Sequence, residues 1–243
     1  EQGLCVLFSA SKGSYWLVWR SDKEGEAESI KNEDVHEGIN MYEDYASLND
    51  AIAGGWNSPM VLIKMVYLFQ LLRQGSPLPC RQDLPKEAIY DGIIDDDILV
   101  LALSYCWCSA AHPDPDDKVL ADICRFAKYL EMSPHCDEKA GYNGGIKRRS
   151  IAVFWDFASL YQRRGDQPRT EIHQASFDAG LGFVNILYAH VKVWTILCTN
   201  AYRKLAYEDS GWPHFEWSVS QLVKPADLTL DLPQALKWIE NKR

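Results

Sequence analysis

From Ile98 onward, long apolar runs alternate with amphipathic segments, the pattern of βαβ units around a buried parallel sheet. Ile98–Trp107 is apolar without alternation and predicts a central strand. His112-Pro-Asp-Pro-Asp-Asp117 follows as a turn ending in helix caps. Residues 118–131 then place Val119, Ile123, Phe126, Ala127 and Leu130 at helical spacing. A glycine-rich basic loop over 136–149 precedes a second buried strand, Ile151–Phe157, which carries Asp156 near its carboxyl end. A loop over 161–169 leads to a helix over about 170–190, with Phe177, Leu181, Val184 and Leu187 on one stripe. Residues 191–199 predict a third strand, and the last clear helix starts near Trp212.

The first 90 or so residues are less regular. Leu4–Phe8 and Tyr15–Trp19 flank Ser11-Lys-Gly-Ser14 as a hairpin, and residues 21–40 are charged and loop-like. Helices are expected over parts of 42–53 and 59–73, and Gly75-Ser-Pro-Leu-Pro79 breaks the second, since proline disfavours helix in the residue before it. These features place a boundary between Gly75 and Asp97. They divide the chain into an N-terminal extension of hairpin and helices, 1–94, packed on an α/β domain, 95–243.

Composition narrows the class. The chain has 243 residues, is 47% hydrophobic and 24% charged, and carries 25 Lys and Arg against 34 Asp and Glu, a net −9. This is the composition of a globular protein, and the acidic balance disfavours nucleic-acid binding through a broad basic face. Met60–Leu72 is about 13 residues long, contains Lys64 and falls short of the roughly 20 apolar residues of a membrane span. Seven irregularly spaced cysteines fit reduced thiols of a cytoplasmic protein better than a disulfide framework. Cys106-x-Cys108 with His112, or His135-Cys136, lacks the second pair of a closed zinc site, and the strand would set both thiols on one apolar face. Gly-x-Gly-x-x-Gly after a strand, Walker, nucleophile-elbow and His-Glu-x-x-His motifs are missing. No basic and apolar leader opens the chain, and Glu1 in place of Met is what a processed chain or a fragment shows.

The chemistry concentrates at strand ends. At about 100° per residue, Trp212, Phe215, Val219, Leu222 and Val223 share one helix face, with Glu216 at its flank. Burial raises the pKa of such a carboxylate and a nearby helix amino end lowers it, so neither the sign nor the size of the shift is fixed. Asp156 and the loops at 112–117 and 161–169 each follow a strand directly, on the edge where open parallel sheets collect ligands. Asp156 serves either to position a hydroxyl or to bond the loop base. His112 and Asp114 either line a site or act as turn and cap. Arg163 and Arg164 either hold phosphate oxygens or form a solvated loop. Tyr105, Trp107 and Phe157 either stack on a flat ligand or fill the core.

From Ile98 to Val223, about half the chain, the order of elements resembles a Toll/interleukin-1 receptor (TIR) domain and its fungal relative, the heterokaryon-incompatibility (HET) domain. Ala102-Leu-Ser-Tyr-Cys-Trp107 is similar to the opening strand of the incompatibility domain. Val153-Phe-Trp-Asp-Phe-Ala-Ser-Leu160 with Arg164-Gly-Asp166 resembles the Toll-type second strand and loop, and Tyr207-Glu-Asp-Ser-Gly-Trp212-x-x-x-Glu216 the Toll-type helix start. The resemblance implies a flavodoxin-like α/β fold, self-association through this domain and a role in an immune or cell-death response. It implies cleavage of the nicotinamide–ribose bond of NAD+, as substrate with no further cofactor, by Glu216 as catalytic residue. Ser104, Tyr105, Trp107, His112, Asp114, Asp156, Arg163, Arg164 and Trp212 would then line the NAD+ site. The chemistry is sound for one carboxylate, because the pyridinium leaving group already carries its charge and needs no proton, while the ribose becomes oxocarbenium-like. Two alternatives remain: a signalling module that assembles through the 161–169 loop without catalysis, and a nucleoside-processing enzyme with a single glutamate.

Overall fold

A computed structural model describes residues 3–9, 14–20, 41–109, 112–132, 150–200, 207 and 211–242. The chain forms two compact units, Glu1–Asn40 and Met41–Arg243. In the first, β1 (Gly3–Ser9) and β2 (Ser14–Arg20) pair antiparallel from Gly3 opposite Arg20 to Ser9 opposite Ser14. The expected loops at 21–40 and 136–149 lie outside the described residues.

The second unit is a mixed α/β fold. Its strands are β3 (Ile63–Lys64), β4 (Ile98–Tyr105), β5 (Ser150–Phe154), β6 (Val193–Cys198) and β7 (Thr229–Asp231). The described helices are α1 (Tyr45–Ala51), α2 (Met65–Gln74), α3 (Lys118–Met132), α4 (Asp156–Ser159), α5 (Glu171–Ala189), α6 (Gly211–Val223) and α7 (Leu232–Asn241). The sheet order is β3-β5-β4-β6-β7, parallel throughout except for β3, which runs antiparallel to β5. Among the parallel strands, taken in chain order, this is 2-1-3-4, compatible with flavodoxin-like winding. The order reverses between β4 and β6, where such sheets open a crevice at the strands' carboxyl ends.

β4 accounts for the layers. Its apolar run is buried on both faces, yet successive side chains still alternate. Leu99, Leu101, Leu103 and Tyr105 join a core with α2, α3 and α7. Val100 and Ala102 join the opposite core with α1, α5 and Val219 of α6. An uninterrupted apolar strand is therefore the expected signature of a sheet with helices on both sides.

The boundary expected at 94/95 falls instead at 40/41. Residues 41–94 belong to the sheet unit because β3 hydrogen-bonds to β5, and because Leu78, Leu84, Ala88 and Ile89 are buried in the same core as β4. The segment 59–73, expected as a helix, splits into β3 and α2. Gly75 then ends α2 in the left-handed region at φ 61°, with its N–H on the carbonyls of Leu71 and Leu72. Sequence periodicity also missed β7 and α7, the latter capped by Asp231, which accepts from Gln234 N at 2.9 Å.

Candidate functional site

β5 ends at Phe154, and the chain turns at once into α4, so Asp156 stands in a helical turn rather than on the strand. Its Oδ1 accepts from the Tyr105 hydroxyl at 2.7 Å and from the Phe157 N–H at 2.6 Å, and its Oδ2 from the Trp107 indole N–H at 3.0 Å. A carboxylate offers about four lone-pair sites. Three are taken, and the remaining one belongs to Oδ2. Burial pushes the Asp156 pKa up, and the three donors offset only part of that rise. The Tyr105 hydroxyl is held well above its ordinary range by burial and then by the Asp156 charge.

Asp156 faces a cavity of about 430 Å³ that Tyr105, Trp107, Trp212, Pro213 and Arg169 also line. With Phe177, four aromatic rings, a carboxylate and a guanidinium thus meet beyond the carboxyl ends of β4 and β5. The volume suits a small organic ligand.

Glu216 lies behind this cavity and does not line it. It is 2% exposed. The buried face of α6 runs through Pro213, Glu216, Val219 and Ser220, while Trp212 and Val223 are 43% and 39% exposed. The helix is therefore turned from the expected face, with Glu216 at the centre of the buried stripe. Burial holds its carboxyl well above the usual range, the Asp156 charge raises it further, and Ser104, Tyr188 and Trp212 offset part of this through hydrogen bonds. By strict geometry Oε2 has no partner.

The Tyr188 hydroxyl donates to the Leu103 carbonyl at 2.7 Å and also lies within reach of Glu216, whose ionised form it favours. Burial outweighs it, so the shift favours the neutral acid of Glu216, beside an Asp156 that is held by three donors.

The other expected site residues separate. Ser104 is buried and shares a hydrogen bond with the Tyr207 hydroxyl. His112 is committed to structure: Nε2 meets the Leu78 carbonyl at 2.9 Å, and Nδ1 accepts from Asp114 N at 3.1 Å. Asp114 is buried and accepts from Leu120 N at 2.8 Å, a cap on α3. Arg163 is exposed away from the Asp156 cavity, and Arg164 pairs with Asp83. Phe157 packs edge-on to Trp107 and His112 as core. Of the expected set, Tyr105, Trp107, Asp156 and Trp212 converge on the cavity.

The guanidinium at the cavity is that of Arg169, which sequence reasoning passed over. It donates to the Tyr161 carbonyl at 2.7 Å and lies 3.5 Å from the Phe177 ring centroid. Its nearness to Thr170, the amino cap of α5, was the available signal. Cys106 and Cys108 follow β4 instead of sharing one strand face, because the strand ends at Tyr105. Among the described residues no cluster of His, Cys, Asp and Glu is arranged to hold a metal ion. Nor is any described helix long and apolar enough to cross a membrane.

The fold and site together define a mixed α/β protein with an aromatic, carboxylate-bearing cavity at the carboxyl edge of its sheet. No protein-family model, curated protein or solved structure matches the chain.

Proposed function

We propose that the protein cleaves the N-glycosidic bond of a nucleotide, and that NAD+ is the substrate. The observation that carries this is the free lone pair of Asp156 facing a cavity walled by Tyr105, Trp107 and Trp212. Flat rings suit a nicotinamide, and a carboxylate beside them suits a ribose hydroxyl and the positive charge that develops as the bond breaks. The flavodoxin-like order of the parallel strands and the Toll-type motifs support the same chemistry. Asp156, and not Glu216, is the carboxylate placed to touch the substrate. Glu216 is a positioning residue: neutral and buried, it holds Trp212 and Ser104 behind the cavity without adding a second negative charge.

The test is release of nicotinamide from NAD+, followed by chromatography over a range of protein concentrations. Asp156→Asn keeps the shape but loses the charge, and kcat should fall by roughly 10²- to 10³-fold, the usual effect of deleting one electrostatic stabiliser. Undiminished turnover in folded Asp156→Asn protein would overturn the assignment. Glu216→Gln should retain far more activity than Asp156→Asn. The acidic limb of its pH–kcat profile should stay where wild type has it, since a protonated Glu216 puts no charge beside Asp156; a limb that moves to lower pH would mean that Glu216 is ionised in the native protein.

A further inference from the structure

Beside the Asp156 cavity lies a second one, of about 470 Å³, between Trp56, Tyr161 and the start of α5. Arg164, Arg169 and His173 line it, and Gln162 and Arg169 line both cavities, so the two adjoin. Behind the Trp56 and Tyr161 walls sits Arg81, which is fully buried. Its guanidinium carbon lies 4.6 Å from the Trp56 ring centroid and 4.9 Å from that of Tyr161. Nη2 donates to the Trp56 carbonyl, but Nε and Nη1 have no hydrogen-bond partner. Among the described residues, neither Arg81 nor Arg169 forms an ion pair with a carboxylate.

A buried guanidinium without a counter-charge is unfavourable, and two aromatic contacts compensate it only in part. Of the nearby acids, Asp83 pairs with Arg164, while Asp178, which accepts from Gln174 at 2.7 Å and acts on Arg169 through its charge, and Glu171 in the first turn of α5 form no ion pair with either arginine among the described residues. The amino end of that 19-residue helix, which opens at Thr170 on the cavity, adds to the positive field. Arginine forks and a helix amino end are what phosphate oxygens seek.

We infer that this second cavity is a phosphate subsite that takes the pyrophosphate of a dinucleotide. This rests on the glycosidic reading above, since it sets the anion next to the Asp156 cavity through their shared Arg169 and Gln162. Arg81 holds the charge in place from behind the wall, and Arg169 meets the ligand from the rim.

The experiment uses inorganic pyrophosphate as the probe, titrated calorimetrically and by thermal shift into the whole chain and its variants. Wild type and Asp156→Asn should both bind pyrophosphate, with an affinity that falls as salt rises. Arg169→Gln should weaken binding at least tenfold, and Arg81→Met should lose the pyrophosphate-dependent rise in Tm while remaining folded by circular dichroism. Should Arg81→Met fail to fold, Arg169→Gln alone decides.

Nicotinamide riboside, which has the same glycosidic bond but no phosphate, separates the two proposals. Cleavage of NAD+ at a kcat/KM at least tenfold above that of the riboside, lost in Arg169→Gln, supports the subsite. Equal kcat/KM for both substrates with no pyrophosphate binding overturns the subsite and leaves glycosidic cleavage standing. Pyrophosphate binding that depends on Arg169, with no turnover of either substrate, keeps the subsite as an anion site and overturns the glycosidic reading.

Discussion

The raised pKa of the buried Glu216 has a consequence for stability that does not depend on any substrate. In the unfolded chain this carboxyl titrates near its ordinary pKa of 4.5, whereas in the native state burial and the Asp156 charge hold it well above that. Below pH 4.5 both states are protonated and the group contributes nothing to the balance. Above it the unfolded chain ionises while the native one does not. Wild-type stability therefore falls as pH rises, until the native pKa is reached. The slope across that window is about 1.4 kcal/mol per pH unit. Glu216→Gln keeps the shape and cannot ionise, so its stability relative to wild type should climb by that amount per unit from pH 5 upward. For a domain of this size that is a gain of roughly 3–6 °C in Tm for each unit. Urea titrations of both proteins at pH 5, 6 and 7 and constant ionic strength measure it. The unmatched amide donor of Gln adds an offset that is the same at every pH, so the slope is the readout. A difference that stays flat over the range would mean that Glu216 ionises natively at no cost, and the argument from burial would fail.

Lys224 gives the mirror image. It is 5% exposed, donates to the Val193 carbonyl at 3.0 Å and to Thr195 Oγ1 at 2.6 Å, and burial lowers its pKa from 10.5 to about 7. Between those values the unfolded chain binds a proton that the native state refuses, so this group makes wild type gain stability with rising pH. Lys224→Met should compare best with wild type at pH 7 and lose ground by about 1.4 kcal/mol per unit toward pH 10, as urea titrations would show; a pH-independent difference would refute the low pKa. Gly180 sits mid-helix in α5, where an added Cβ would meet Leu160 Cδ2 at 2.7 Å and the Pro59 carbonyl oxygen at 2.9 Å. The leucine tip can yield but the backbone oxygen cannot, so Gly180→Ala should lower stability by about 1 kcal/mol despite alanine's better helix propensity, and a rise in Tm would contradict the close approach.

The elements that sequence periodicity located well are those whose burial repeats over many residues. The spans expected for β4, α3 and α5 differ from the observed ones by two residues or fewer at each end. What periodicity missed is short. β3 has two residues and β7 three, fewer than an alternation needs to show itself. The stretch Met60–Leu72 is apolar but for Lys64 and Gln70, and one lysine before Met65 does not by itself mark a switch from strand to helix, although the branched Val61 and Ile63 favour the strand half. Gly75–Pro79 ends α2 as expected but marks no domain boundary, because Leu78 within it is buried at 1% exposure. A helix stop and a domain boundary have the same local chemistry, and only what the following apolar residues pack against tells them apart.

The site shows the same limit from the side of charge. Asp156 was legible because one acid at the end of an apolar strand is conspicuous in the one-dimensional pattern. Arg81 was not, since nothing near it in sequence distinguishes it from an exposed arginine. Its burial comes from Trp56 and Tyr161, 25 residues before it and 80 after it. Glu216 falls between these cases. Helical geometry placed it near the apolar face, but a rotation of α6 by less than one residue's angle decides whether it flanks that face or lies at its centre. That small angle also decides the chemistry. At the flank Glu216 would be an ion at the cavity, whereas at the centre it is a neutral acid behind it. The negative charge available to a substrate then passes to Asp156, whose ionised form Tyr105, Trp107 and the Phe157 amide favour by donating to it.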